Sequence, residues 1–271
     1  MFYIPTLTIA GSDCSGGAGM EADIKTMSAL GCYATAVITS VTVQNTCGVT
    51  DIQDIRPDIV GGQIRAVMGD IHPQSVKVGM VNNCAIIHAI ADALEEYRPN
   101  LLVVDPVMVS SSGSQLMKDN ALGTFCQRLI PLATLLTPNL PEAEILADMR
   151  ITRPEDIDQA AEKMMRYGCK AVLIKGGHSN GPKKTDRLYI AKEKPVLFQS
   201  QSVPTKNTHG TGCTLSSAIT AYLARGMNLL QAVEAAKQYV TRALTAGSNV
   251  KIGQGIGPVN HFFNPEKLIK L

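Results

Sequence analysis

Leu101-Leu102-Val103-Val104-Asp105-Pro106 is the stretch on which the fold turns. Four apolar residues without alternation, closed by an acidic residue and a proline, suit a strand buried on both faces, as in a parallel sheet. Leu7 to Ala10, Val76 to Val78, Thr134 to Leu136 and Ala171 to Ile174 repeat the form, each running out into Gly, Asp or Asn. Between them lie stretches with apolar residues three and four apart, such as Ile24, Met27, Ala29 and Leu30, or Ile86, Ile87, Ile90 and Leu94, which predict amphipathic helices. Strand and helix alternate. That order predicts an α/β fold of three layers: a doubly wound, mostly parallel sheet with helices on both faces and ligands beyond the carboxyl ends of the strands. Asp186 to Ile190 and Val196 to Val203, joined by the turn-like Ala191 to Pro195, predict a small antiparallel edge.

The chain has 271 residues, enough for one large α/β domain, and no repeat or Pro/Gly/Ser-rich linker divides it, so a single domain over 1–271 is expected. Hydrophobic residues at 45% and charged residues at 18% belong to an ordinary globular protein. The 25 basic and 23 acidic residues are dispersed, with no basic block to neutralise a phosphate backbone, which argues against a nucleic-acid partner. Met1 to Ala10 carry no Lys or Arg and run into a strand pattern, unlike a signal peptide, and no apolar run is long enough to cross a bilayer. Seven cysteines stand singly without a C-x-x-C pair, so the expected compartment is the reducing cytoplasm.

The strongest chemical signal is Asn207-Thr208-His209-Gly210-Thr211-Gly212-Cys213-Thr214 ahead of a helical run from Leu215 to Leu223. Glycines before a helix admit a ligand to the backbone, and the unpaired N–H groups of the first turn suit an anion such as a phosphoryl group in transfer. A plain glycine-rich cap is the alternative. Cys213 stands in the first turn, where the local field favours a thiolate able to take a proton from an attacking hydroxyl, or where a small buried thiol simply packs. Ser15 to Gly19 form a flexible loop after the first strand and lead to Asp23, either a ligand acceptor or an ordinary early-helix acid. Pro138-Asn139-Leu140-Pro141-Glu142 opens another helix, in which Glu142 either approaches a hydrated Mg²⁺ or completes an Asn cap. Lys175, in Ile174-Lys175-Gly176-Gly177-His178, and Asp105 end strands expected to face the same crevice, where a cation would neutralise nucleotide phosphates; the alternatives are a solvated strand-end lysine and an aspartate bonded to its loop. Gln44 carries an amide that can donate to a ring nitrogen while accepting from an adjacent amine, the N–C–NH₂ edge of an aminopyrimidine, or is an ordinary surface glutamine.

Eight segments, TIAGSD (8–13), SGGAG (15–19), QNTCGV (44–49), DPVM (105–108), PNLPE (138–142), IKGGH (174–178), NTHGTGCT (207–214) and GQGIGP (253–258), taken in order, resemble the hydroxymethylpyrimidine (phosphate) kinase family of the ribokinase-like superfamily. The resemblance implies ATP as phosphoryl donor with Mg²⁺, a pyrimidine alcohol or its monophosphate as acceptor, a role in thiamin biosynthesis, and a homodimer. It implies a pyrimidine lying among Gly11, Asp23, Gln44, Met80, Val107 and Cys213, and catalysis by Cys213, Lys175 and the backbone of Gly210, Thr211 and Gly212. Asn139, Lys175, Thr208, Gly210 and Gly212 would face the nucleotide, and Glu142 and Asp105 the metal. Pyridoxal kinase, of the same fold, is the rival reading; a sugar kinase would want a more polar pocket than Met80 and Val107 offer.

Overall fold

A computed structural model describes residues 1–110, 113–177 and 181–270. Its strands are β1 (Pro5–Asp13), β2 (Tyr33–Asn45), β3 (Gly48–Asp54), β4 (Ser75–Val78), β5 (Leu102–Val104), β6 (Leu135–Leu136), β7 (Ala171–Ile174), β8 (Lys183–Ile190) and β9 (Val196–Gln201). They form one sheet in the order β3-β2-β1-β4-β5-β6-β7-β8-β9. Every pairing from β2 to β7 is parallel, and the pairs β2/β3, β7/β8 and β8/β9 are antiparallel. The expected edge at β8 and β9 is present, with its second strand ending at Gln201, short of Val203 and the donor-less Pro204.

The helices are α1 (Gly19–Ala29), α2 (Pro57–Asp70), α3 (Cys84–Tyr97), α4 (Leu122–Arg128), α5 (Leu140–Ala147), α6 (Pro154–Met165), α7 (Thr211–Ala224) and α8 (Leu229–Gly247). One core cluster joins Ile64, Ile87, Phe125, Leu146 and Met164 of α2 to α6 with Ile9, Val78 and Val104 of the sheet. A second joins Met27, Ile219 and Val240 of α1, α7 and α8 with Val103, Leu135 and Leu173. Alternate residues of each buried strand thus feed opposite cores, and the three-layer expectation holds.

Two features depart from it. β2 and β3 are not all-apolar runs: YATAVITSVTVQN interleaves apolar residues with Thr and Ser and pairs with β3 through the turn at Thr46 and Cys47. The run Val76 to Val78 is also not apolar: Lys77 is fully buried, and its ammonium meets both oxygens of Asp23 on α1 at 2.8 and 2.7 Å.

The topology places the site. The chain winds from β1 out to β2 and β3 and returns on the other side at β4, so the sheet changes winding direction between β1 and β4. A crevice opens at the carboxyl ends of strands at such a point. The residues just past β4, β5, β6 and β7 are Met80, Asp105, Asn139 and Lys175, and all of them reach one cavity.

Candidate active site

The cavity has a volume of about 630 Å³. Its wall includes Gly11, Gln44, Met80 and Val107 on the β1 side, and Asp105, Asn139, Glu142, Lys175 and Thr208 beyond β5 to β7, with Gly210, Thr211, Gly212 and Cys213 between. Among the residues singled out in the sequence, Asp23 stands outside this wall. Its carboxylate is fully buried and already accepts from Lys77, from Thr8 Oγ1 at 2.6 Å and from Ser217 Oγ. No lone pair is left to spare for a ligand, and Asp23 instead anchors Lys77, which does reach the cavity. His178 of the IKGGH segment lies outside the described residues.

Gly210 caps α7 with φ +76°, and a Cβ there would fall 1.9 Å from the Gly17 carbonyl oxygen. Only glycine permits both the left-handed turn and the close passage of the 15–19 loop. Thr211 N–H turns back to the Thr208 carbonyl (3.2 Å) and Thr214 N–H to the Gly210 carbonyl (2.8 Å), which leaves the N–H groups of Gly212 and Cys213 as the open donors of the first turn. A Cβ on Gly212 would approach Lys175 Nζ to 3.5 Å, so the open turn and the ammonium face the same volume. Backbone donors and a fixed cation together suit a transferring phosphoryl group.

The Lys175 ammonium lies 2.7 Å from Asp105 Oδ1 and 3.9 Å from Glu142 Oε2. Asp105 also accepts from Thr137 Oγ1 at 3.0 Å and Ser216 Oγ at 3.0 Å. Burial alone would raise the Asp105 carboxyl, but Lys175 and Lys77 hold it below the usual carboxylate range. Glu142 moves the other way: burial, helped by Asp105 and opposed by Lys175, pushes it up to about 7. Asn139 and Glu142 form a reciprocal cap, Asn139 Oδ1 accepting from Glu142 N at 2.9 Å and Glu142 Oε2 from Asn139 N at 2.7 Å. The simpler of the two readings of this segment is therefore realised, and the cap delivers Glu142 to the cavity wall.

Cys213 corrects a second expectation. The helix N-terminus does not produce a thiolate: burial pushes the thiol up to about 11, Lys77 opposing and Asp23 and Asp105 reinforcing. Desolvation outweighs both the helix end and Lys77, which favour the thiolate, and the group is a neutral thiol at neutral pH.

Two residues within the quoted motifs carry structure that the sequence did not signal. His209 Nε2 lies 2.8 Å from Asp13 Oδ2, both side chains almost fully buried. Asp13 further accepts from Ser15 N (2.9 Å), Ser15 Oγ (2.7 Å), Gly17 N (3.2 Å) and Ala18 N (2.8 Å), tying the 15–19 loop to the segment before α7. Burial works against the Asp13 charge, yet the bonds from His209, Ser15 and Ala18 hold its carboxyl far below the usual range. The Gln44 amide lies between Thr42 Oγ1 at 3.2 Å and His209 Nε2 at 3.3 Å. Also on the cavity wall, Lys237 Nζ of α8 pairs with Asp186 Oδ2 of β8 at 2.6 Å, and Asp186 Oδ1 holds the Gly176 N–H. Among the described residues no three His, Cys, Asp or Glu side chains converge as a metal cluster, and no helix is long and apolar enough to cross a membrane.

The sequence model of the phosphomethylpyrimidine kinase family matches residues 13–260. The chain is 47% identical over 257 residues to the hydroxymethylpyrimidine/phosphomethylpyrimidine kinase of Rhizobium meliloti (strain 1021), covering 94% of this chain and 96% of that one. It is 42% identical over 263 residues to the Escherichia coli (strain K12) protein of the same name, covering 97% and 98%. Among solved structures it is similar to a phosphomethylpyrimidine kinase from Clostridium difficile 630 (46% identity, TM-score 0.79, covering 89% of this chain and 99% of that one). It is also similar to a Bacillus subtilis pyridoxal kinase in complex with ADP (33% identity, TM-score 0.88, 96% and 98% covered). With the family model spanning nearly the whole chain and relatives this similar over nearly their full length, the chain belongs to the phosphomethylpyrimidine kinase family.

Proposed function

We propose that this chain transfers the γ-phosphoryl group of ATP to 4-amino-5-hydroxymethyl-2-methylpyrimidine and then to the resulting monophosphate, supplying the diphosphate for thiamin assembly. One observation carries the reading: the Gln44 amide touches His209, the residue next to the Gly210 cap, so an aminopyrimidine reader and a phosphoryl-binding turn share one cavity. A pyrimidine held by Gln44 between Met80 and Val107 would point its 5-hydroxymethyl group at Cys213 and the open N–H groups. Those donors and Lys175 stabilise charge on the equatorial oxygens, and Cys213 holds the hydroxyl in line.

ATP as co-substrate accords with family membership and with the ADP-bound neighbour. Asp105 and Glu142 offer the hard oxygen donors that Mg²⁺ prefers, and two carboxylates suit an ion that keeps most of its waters and takes the rest of its shell from phosphates. Bound there, Mg²⁺ would supply charge neutralisation on the nucleotide.

The overall likeness to pyridoxal kinases gives a second reading, and Gln44 weighs against it. Pyridoxal has no ring nitrogen beside an amine, so part of the amide would stay unpaired, at a cost of about 1–3 kcal/mol. Gln44→Met is expected to erode activity on the pyrimidine more than any activity on pyridoxal; equal losses on both would contradict the assignment.

A further inference from the structure

The hydrogen count around Gln44 settles which way its amide faces. Asp13 receives four donors from the 15–18 loop and a fifth contact from His209 Nε2, an arrangement that only an ionised carboxylate satisfies. His209 Nε2 therefore carries a proton and donates it. An N–H donor leaves no lone pair for an amide NH₂ 3.3 Å away, so the atom there must be the Gln44 oxygen, a second and longer acceptor for the proton that Asp13 takes at 2.8 Å. The other side imposes the same choice independently. The Thr42 hydroxyl gives its one proton to the Ser12 carbonyl at 2.9 Å, so the amide atom 3.2 Å from Thr42 Oγ1 must be the NH₂ group. The structure places the amide the other way round; a half-turn about its terminal bond exchanges O and N within the same envelope and satisfies both neighbours.

We propose that His209, held by Asp13, and Thr42 act as positioning residues that lock the Gln44 amide in one orientation and so decide which heterocyclic edge the site accepts. The inference rests on the pyrimidine reading above. With the orientation fixed, one N–H and one carbonyl lone pair remain for the ligand in a set order. In a 4-aminopyrimidine the ring nitrogen accepts and the adjacent amine donates. In the 4-oxo analogue the neighbouring N–H donates and the carbonyl accepts, the reverse order on the same shape. The 5-hydroxymethyl group must point at the open turn of α7, so the ring cannot turn over to compensate. A locked amide rejects the oxo analogue; an amide free to rotate serves either.

The experiment compares kcat/KM for 4-amino-5-hydroxymethyl-2-methylpyrimidine with that for its 4-oxo counterpart in this 271-residue chain with ATP and Mg²⁺. The wild type is expected to prefer the amino compound strongly. His209→Ala and, on a different element, Thr42→Val should each lower that ratio at least about tenfold. His209→Asn, which keeps an N–H for Asp13, should recover part of the preference. Adding either change to Gln44→Met should move the ratio no further. A merely structural role would depress both substrates together and leave the ratio unchanged in both variants, which would overturn the lock. Wild-type turnover of neither pyrimidine would instead overturn the functional reading on which it rests.

Discussion

Lys175 Nζ sits 2.7 Å from Asp105 Oδ1, a cation from the end of β7 held by an anion from the end of β5 across the intervening strand β6. The pair is almost fully buried yet borders the cavity, so the ammonium is fixed before any phosphate arrives. Preorganised charge of this kind acts in the transition state without reorganisation.

Lys175→Met should therefore lower kcat by about 10²- to 10³-fold. It should leave the dissociation constant of the pyrimidine within a few-fold of the wild type, because Gln44 is untouched. Rapid-quench turnover with ATP and a separate binding titration with the pyrimidine test the two halves; parallel loss of pyrimidine binding would contradict the division of labour.

Asp23 and Lys77 form a wholly buried ion pair with Thr8 and Ser217 completing the carboxylate's bonds. Removing one partner strands the other charge, so Asp23→Ala should destabilise the fold by about 3–5 kcal/mol. The double change Asp23→Leu with Lys77→Met should restore much of that loss. Urea denaturation reads both; a stable Asp23→Ala with specifically weakened pyrimidine binding would instead return Asp23 to the ligand.

The two acceptors differ in what they ask of Cys213. A neutral thiol cannot take the alcohol's proton and acts by orienting its hydroxyl, whereas a phosphate monoester, with a second pKa of about 6, is already mostly ionised at neutral pH and is drawn to the open N–H groups by its own charge. With that orientation lost, Cys213→Ala should lower turnover on the alcohol by about 10²-fold and on the monophosphate by less than about tenfold. Steady-state kinetics on the separate substrates decide it. Equal losses would show that the thiol positions both nucleophiles alike.

Burial pulls the His261 imidazole down to about 4 against a usual 6.5, with Lys25 and His209 adding to the effect. The group is neutral in the fold: Thr214 gives its hydroxyl proton to the Gly210 carbonyl at 2.8 Å, so His261 Nε2 donates to Thr214 Oγ1 at 3.1 Å. Because the unfolded chain binds the proton first, stability is complete above about pH 6.5 and falls as pH drops toward 4, by on the order of 3 kcal/mol in all. His261→Gln retains an N–H for Thr214 and should flatten the dependence of Tm on pH over that window. A variant that melts along the wild-type pH profile would contradict the assignment.

The fold was legible where burial on both faces leaves a pure signal. Ala171 to Ile174 is a strand in full, and the residues after β4 to β7 could be placed in one crevice because parallel strands end on the same side. β2 was hidden by its polar alternate positions, and with it the strand that carries Gln44. What the sequence conceals is pairing at a distance. Asp23 has the look of a ligand until Lys77, fifty-four residues on, is seen to saturate it, and Asp13 and His209 meet across 196 residues. The field at Cys213 likewise depends on Lys77, Asp23 and Asp105, which come together only in the folded sheet.

The most direct test of the whole account is ATP-dependent phosphorylation by the purified protein, with Mg²⁺, of 4-amino-5-hydroxymethyl-2-methylpyrimidine, its monophosphate, pyridoxal and ribose side by side. The expected result is turnover of both pyrimidines with a kcat/KM well above that for pyridoxal and none for ribose. A preference for pyridoxal would keep the fold and the open turn of α7 but contradict the reading of Gln44, and no turnover of either pyrimidine would contradict the central claim itself.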